Sequence, residues 1–105
     1  MSAERYEVRA SAAFFEDLDR QLGSERGPNG EPSTTDFQTF ELFAIVERFA
    51  TEFDELPLMI PGRSDYRVLM STGTLVRIYS VVGQLRPDGA IELIALDLDV
   101  GTDWS

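Results

Sequence analysis

The chain has 105 residues, a length that supports one hydrophobic core and a single domain, 1–105. It contains no Cys, His or Lys, so thiolate metal sites, cysteine nucleophiles, histidine general bases, Schiff bases and Walker-type phosphate loops have no residue to serve them. Nine Arg against nineteen acidic residues leave a net charge of −10, which opposes free nucleic acid and anionic membranes as partners and favours basic protein surfaces or cations.

Residues 4–10 alternate, with Tyr6, Val8 and Ala10 on one side and Arg5, Glu7 and Arg9 on the other, the pattern of a half-buried strand. The preceding Met1–Arg5 stretch is charged and has no apolar signal core, and no apolar run reaches membrane-spanning length. A cytoplasmic protein with no membrane contact is therefore expected. Ser11 stands at an N-cap position, and Phe14, Phe15, Leu18 and Leu22 fall on one stripe of a helix over 12–22 that stops at Gly23. Residues 23–34 hold two Pro, three Gly and no large apolar side chain, so they read as a flexible loop.

Thr35 and Gln38 fit a capping box that opens a long helix running to about Phe53. Leu42, Ile45, Val46, Phe49 and Phe53 form its stripe, and Phe37, Phe40, Phe43 and Ala44 widen that stripe beyond one face. Such a helix is either buried on two sides, the reading favoured here, or shows an aromatic patch to a partner. Pro57 and Pro61-Gly62 close the segment. A meander follows: a strand over Tyr66–Ser71, a turn at Ser71–Thr74, a long strand over Thr74–Leu85, a Pro87-Asp88-Gly89 turn and a last strand over Ala90–Leu98. That last strand is apolar at both alternations (Ile91, Leu93, Ala95 and Ile94, Leu96, Leu98), as expected of a central strand or one covered on both faces. The expected fold class is α+β, in the order β-α-α-β-β-β, with a small, mostly antiparallel sheet and two helices on one face.

This order and length resemble the RelE/ParE superfamily of type II toxin–antitoxin toxins. Tyr6-Glu7-Val8-Arg9-Ala10-Ser11-Ala12-Ala13 with Asp17-Leu18 and Leu22 looks like that family's first strand and helix. Tyr66-Arg67-Val68-Leu69, Gly73 and Val76-Arg77-Ile78-Tyr79-Ser80-Val81 look like its central hairpin. The resemblance implies a small toxin-like protein with an antitoxin-like protein partner and no cofactor. In the family's ribosome-dependent endoribonucleases, basic residues stabilise the phosphorane and an aromatic hydroxyl moves a proton. By position, Arg67, Arg77 and Tyr79 are the catalytic candidates. Arg67 alternates with Tyr66 and Val68 and is expected to leave the core face, while Arg77 and Tyr79 share a face. The plainer assignment pairs Arg77 with an acidic neighbour and packs Tyr79 in the core.

The chain departs from the nuclease pattern at its end, where Asp97, Asp99 and Asp103 stand in place of the expected cations. This acidity counts against ribonuclease activity and for action through protein contacts. It also supports an alternative, an acidic inhibitor or immunity-type module that covers a basic protein surface. The same aspartates have the ligand type for a hard cation, but an Asp-x-Asp pair is more often a solvated strand end, and no metal is assigned. Glu52, Asp54 and Glu55 gather where the helix dipole disfavours carboxylates and mark a candidate interaction surface. Trp104 is a candidate either for docking back on the sheet or for anchoring a homodimer contact.

Overall fold

A computed structural model describes residues 5–23, 32–73 and 76–99. The segment 24–31 of the expected loop, Thr74 and Leu75 of the expected long strand, and Asp103 and Trp104 lie outside the described residues. The fold is α+β, with five strands and three helices among the described residues. In chain order these are β1 (Val8–Ala10), α1 (Ala12–Gln21), α2 (Thr34–Phe40), α3 (Leu42–Glu52), a 3-10 turn (Phe53–Glu55), β2 (Leu58–Ile60), β3 (Arg63–Thr72), β4 (Ile78–Leu85) and β5 (Ile91–Asp99). The strands form one mixed sheet in the order β1-β5-β4-β3-β2. β1 runs parallel to β5, and the other three pairings are antiparallel.

Ser11 caps α1 as expected, its Oγ accepting the Phe14 N–H at 3.1 Å. The second capping box sits two residues earlier than Thr35 and Gln38. Ser33 Oγ accepts the Asp36 N–H and Asp36 Oδ2 accepts the Ser33 N–H, both at 3.1 Å. Asp36 answers Ser33 at the same three-residue spacing, and the shorter carboxylate closes the reciprocal pair.

The long helix is broken. Glu41 has φ −111° and ψ −35°, and it separates α2 from α3. Its side chain turns inward, is 2% exposed, and its Oε2 accepts the Val76 N–H at 3.3 Å. The carboxylate thus ties the helix break to the end of the β3–β4 connection. The break explains the over-wide apolar stripe. Phe37, Ile45, Phe49 and Phe53 enter the core, whereas Phe40 and Phe43 remain 57% and 72% exposed. Burial on two sides is therefore not what the wide stripe means; it covers two short helices whose shared corner carries an aromatic patch.

The core lies between these helices and one face of the sheet. Phe14, Leu18 and Leu22 of the α1 segment, Phe37, Ile45, Phe49 and Phe53 meet Leu69, Tyr79, Val81, Ile91, Leu93 and Leu96 in one cluster. Phe49 lies directly on Gly83, where a Cβ would come 2.5 Å from its ring, so the missing side chain lets α3 seat on β4. β5 is central, as expected, but its double alternation has another cause. Val82 pairs with Ala95 and Gly83 with Leu93, so Ile94 is an extra residue in β5. This bulge resets the alternation, and Ile91, Leu93, Leu96 and Leu98 all reach the helix side.

The strands differ from expectation in three places, the first being β3, which begins at Arg63, three residues before Tyr66. β4 begins at Ile78, after a bend at Val76 and Arg77. The stretch between Pro57 and Pro61 forms β2, a strand the sequence pattern did not announce because three residues are too few for alternation to show. Pro61-Gly62 turns the chain into β3, with Gly62 at φ +84°, as a Pro-Gly type II turn requires.

Candidate functional site

Arg67 lies on β3 opposite Gly83 of β4 and Leu58 of β2, on the side of the sheet that carries the helices. The expectation that it leaves the core face fails because Leu69, buried at 2%, shares its alternation. Its guanidinium turns Nε and Nη1 to backbone carbonyls. Nε donates to Ser64 O at 3.0 Å, and Nη1 donates to Leu56 O at 2.8 Å and Asp54 O at 3.3 Å. Its Cζ stands 5.6 Å from the centre of the Phe53 ring. The cation therefore satisfies carbonyls that the 3-10 turn leaves open at its C-terminal end.

Tyr79 is 4% exposed and belongs to the hydrophobic core. Arg77 is exposed, precedes β4, and fixes its backbone by donating its N–H to Asp99 O at 2.8 Å. No ion pair is seen for its side chain among the described residues. The three candidates do not converge. Tyr79 pairs with Ser71, four residues along β3 from Arg67, a separation of about 13 Å at strand rise. Arg77 lies still farther in the same direction.

The acidic groups are also dispersed. Asp97 and Asp99 face the helix-free side of the sheet opposite Ser80 and Ile78. Among the described residues no group of three potential ligands is placed to hold a metal ion. Glu52 is bound by Arg48 at 2.8 Å, and Asp54 accepts the Tyr6 hydroxyl, with Oδ2 at 3.1 Å. Arg5, Tyr6 and residues 51–55 line a cleft of about 160 Å³, below the roughly 300 Å³ at which small-molecule sites begin. Arg5 also pairs with Glu47 at 2.8 Å, and its hydrogen bond holds the Glu47 carboxyl below its ordinary range.

The most developed polar cluster lies on α1, in a place that no sequence motif marks. β1 pairs with β5 only as far as Leu93. Beyond it, side chains of α1 take the place of a strand. Asp17 Oδ2 accepts the Leu96 N–H at 3.0 Å, Gln21 Nε2 donates to Leu96 O at 2.7 Å, and Gln21 Oε1 accepts the Leu98 N–H at 2.7 Å. The Gln21 amide thus pairs with β5 as a peptide group would. The Leu96 N–H, with help from Arg20, holds the Asp17 carboxyl below its ordinary range.

The remaining surface feature is apolar. Phe40 and Phe43 project from the α2–α3 corner, and Leu58, Met59, Ile60 and Met70 are exposed at the β2 side of the sheet. Sequence reasoning named the two aromatics but missed β2. Its available signal was an unbroken Leu-Met-Ile triplet between two prolines. No family model, curated protein or solved structure matches this chain. Among the described residues, no helix is long and apolar enough to cross a membrane.

Proposed function

We propose that this chain is a RelE/ParE-like protein of a type II toxin–antitoxin-like system that acts through protein contacts and not by cleaving RNA. The observation that carries this reading is the fate of Arg67. A nuclease at this face needs free cations around the scissile phosphate, and here the guanidinium is bound to the Ser64, Asp54 and Leu56 carbonyls. Tyr79, the proton donor of the nuclease alternative, is a core residue. The succession of one strand, helices and a closing meander supports the fold resemblance once α2 and α3 are counted as one broken helix. The exposed Phe40 and Phe43 supply what a protein contact uses, aromatic area at the α2–α3 corner.

Inducible expression in a bacterial host tests this. Arg77 is the cleanest probe, since it is exposed and its side chain holds nothing in place among the described residues. Growth arrest that persists in Arg77→Ala and is lost in Phe40→Ser/Phe43→Ser supports action through protein contacts. Arrest abolished by Arg77→Ala, with ribosome-bound messenger cut by the wild type, returns the nuclease. Absence of arrest in the wild type favours the second reading, an acidic inhibitor of a basic protein surface, for which the net charge of −10 and exposed Asp97 speak.

A further inference from the structure

The β4–β5 turn is built on Asp88-Gly89, a pairing in which a side-chain carboxyl can approach the next backbone nitrogen because glycine has no side chain to hinder it. Gly89 has φ +91°, and no atom lies within 4 Å of where its Cβ would stand. Both residues are exposed, so water reaches this peptide. We propose that Asp88-Gly89 is a site of spontaneous backbone isomerisation, converting Asp88 to isoaspartate through a cyclic imide, and that Arg9 of β1 guards it in the folded chain.

In the ring-closing step the Gly89 nitrogen attacks Asp88 Cγ. The N–Cγ bond forms, the nitrogen gives up its proton, and the carboxyl hydroxyl leaves as water. Only the neutral acid can lose water in this way; the carboxylate has no comparable leaving group. Water then opens the imide. Attack at Cγ restores aspartate, and attack at the Asp88 main-chain carbonyl leaves the backbone running through Cβ and Cγ. The step consumes no oxidant and no second reactant besides water.

Contacts of the fold oppose each requirement of this step. Gly89 N–H donates to Arg86 O at 2.9 Å, so the nucleophile is engaged in the turn. Asp88 Oδ1 accepts the Ala90 N–H at 3.0 Å, and Oδ2 accepts from Arg9 Nη2 at 2.8 Å, so both carboxyl oxygens are held. The hydrogen bond from Arg9, followed by that from Ala90, keeps the carboxyl below its ordinary range and therefore ionised. The Gly89 and Ala90 contacts are made within the turn itself. The Arg9 contact comes from β1, 79 residues away in the chain. Arg86 is nearer in sequence, but its side chain engages Gln84 at 2.8 Å and Glu92 at 3.8 Å. The guard is therefore set only when β1 lies on β5, where Arg9 stands in register with Glu92. Nothing in this chemistry depends on the function proposed above.

Mass spectrometry of tryptic peptides, after prolonged incubation of the purified full chain at neutral pH, tests the inference. Isoaspartate leaves the peptide mass unchanged but shifts its retention, and fragmentation locates it. Trypsin does not cut at Arg86-Pro87, so Asp88 is read in the peptide 78–105, apart from Asn29-Gly30 in the peptide 27–48. Isoaspartate at position 88 should form fastest in the chain held unfolded in guanidinium chloride and slowest in the folded wild type. An exposed ion pair shifts a local opening equilibrium by about twofold to fivefold, and Arg9→Ala should raise the folded-state rate by that factor. Arg9→Lys, which keeps a cation at this place, should recover part of the protection. Gln21→Ala removes the side-chain bonds to Leu96 and Leu98 without touching the turn, and it should isomerise at the wild-type rate. Circular dichroism confirms that each variant is folded. Absence of isoaspartate at position 88 in the unfolded chain overturns the site, and equal rates in the wild type and Arg9→Ala overturn the guard. Equal acceleration in Gln21→Ala and Arg9→Ala also overturns the guard, because the rate would then follow unfolding alone.

Discussion

The two long sides of the sheet solve the same problem in opposite ways. On the β5 side, β1 ends after three residues, and the exposed backbone is met by the Asp17 carboxylate and the Gln21 amide. On the β2 side, the shorter strand again stops early, but the upper half of β3 receives no comparable cover among the described residues. Val68 donates to Pro57 O, so Met70 and Thr72, two and four residues on, turn their backbone the same way beyond the end of β2. Met70 is 68% exposed. The difference lies in where the helices lie. α1 follows β1 directly and lies along β5, so its polar side chains reach that edge. α3 enters at the β3–β4 connection through Glu41, passes over Gly83 at Phe49, and ends against Tyr6, whose N–H donates to Ala50 O at 2.9 Å. It crosses the sheet, and no described residue covers the far edge beyond β2.

Amide hydrogen exchange should show this asymmetry as the largest effect. The Leu96 and Leu98 N–H groups, bonded to side chains of a packed helix, should exchange near the rate of global unfolding. The Met70 and Thr72 N–H groups should exchange by local fluctuation, at least about a thousandfold faster. Equal protection at the two sites would mean that the β3 edge is closed after all.

Breaking the closed edge comes next in size. Gln21→Ala leaves the Leu96 carbonyl and the Leu98 amide without the Gln21 partner at a part-buried site, a cost of about 1–3 kcal/mol. Urea denaturation should report it as a lower midpoint with unchanged slope. Gln21→Glu tests the peptide-like role further, because a carboxylate accepts from Leu98 but has no donor for the Leu96 carbonyl. It should recover less than half of the loss.

Much of this architecture is legible in the sequence, and the unread parts share a cause. Alternation at Tyr6, Val8 and Ala10 marks β1, Ser11 marks the start of α1, and Pro87-Asp88-Gly89 marks the β4–β5 turn, because each rests on local chemistry. Gly89 N–H donates to Arg86 O at 2.9 Å and Asp88 Oδ1 accepts the Ala90 N–H at 3.0 Å, all within five residues. The Ile94 bulge, the Glu41 break and the Asp17–Gln21 cover depend on distant parts of the chain, with partners 75 to 79 residues away for the cover and 35 away for Glu41. A polar residue on a helix is ordinary in sequence, and only the sheet edge beside it gives it a role. For the catalytic candidates, alternation alone misplaced Arg67, because it was counted from Tyr66 and Val68 as the core side when Leu69 is the buried neighbour.

Acid should sharpen the comparison from the closed side. The Asp17 carboxyl is held below its ordinary range chiefly by the Leu96 N–H, with Arg20 adding to the effect. A folded pKa below the unfolded one means that the stabilisation is complete above the unfolded value, about 4, and is lost as pH falls through the folded value. Stability measured from about pH 6 down to about pH 3 should fall less steeply in Asp17→Asn than in the wild type. The difference should be smaller than the loss in Gln21→Ala, since the carboxamide oxygen of the Asp17→Asn variant can still accept the Leu96 N–H. Identical slopes would mean that Asp17 keeps no charge-dependent role at the β5 edge.

The smallest effect is expected where no described residue covers the edge. Met59 is 50% exposed, and no hydrogen bond is seen for its side chain among the described residues. Met59→Lys should therefore change stability by no more than about 0.5 kcal/mol, in contrast to Gln21→Ala on the opposite side. A large loss would show that Met59 is packed within its own chain, and the two sides of the sheet would then differ in chemistry but not in closure.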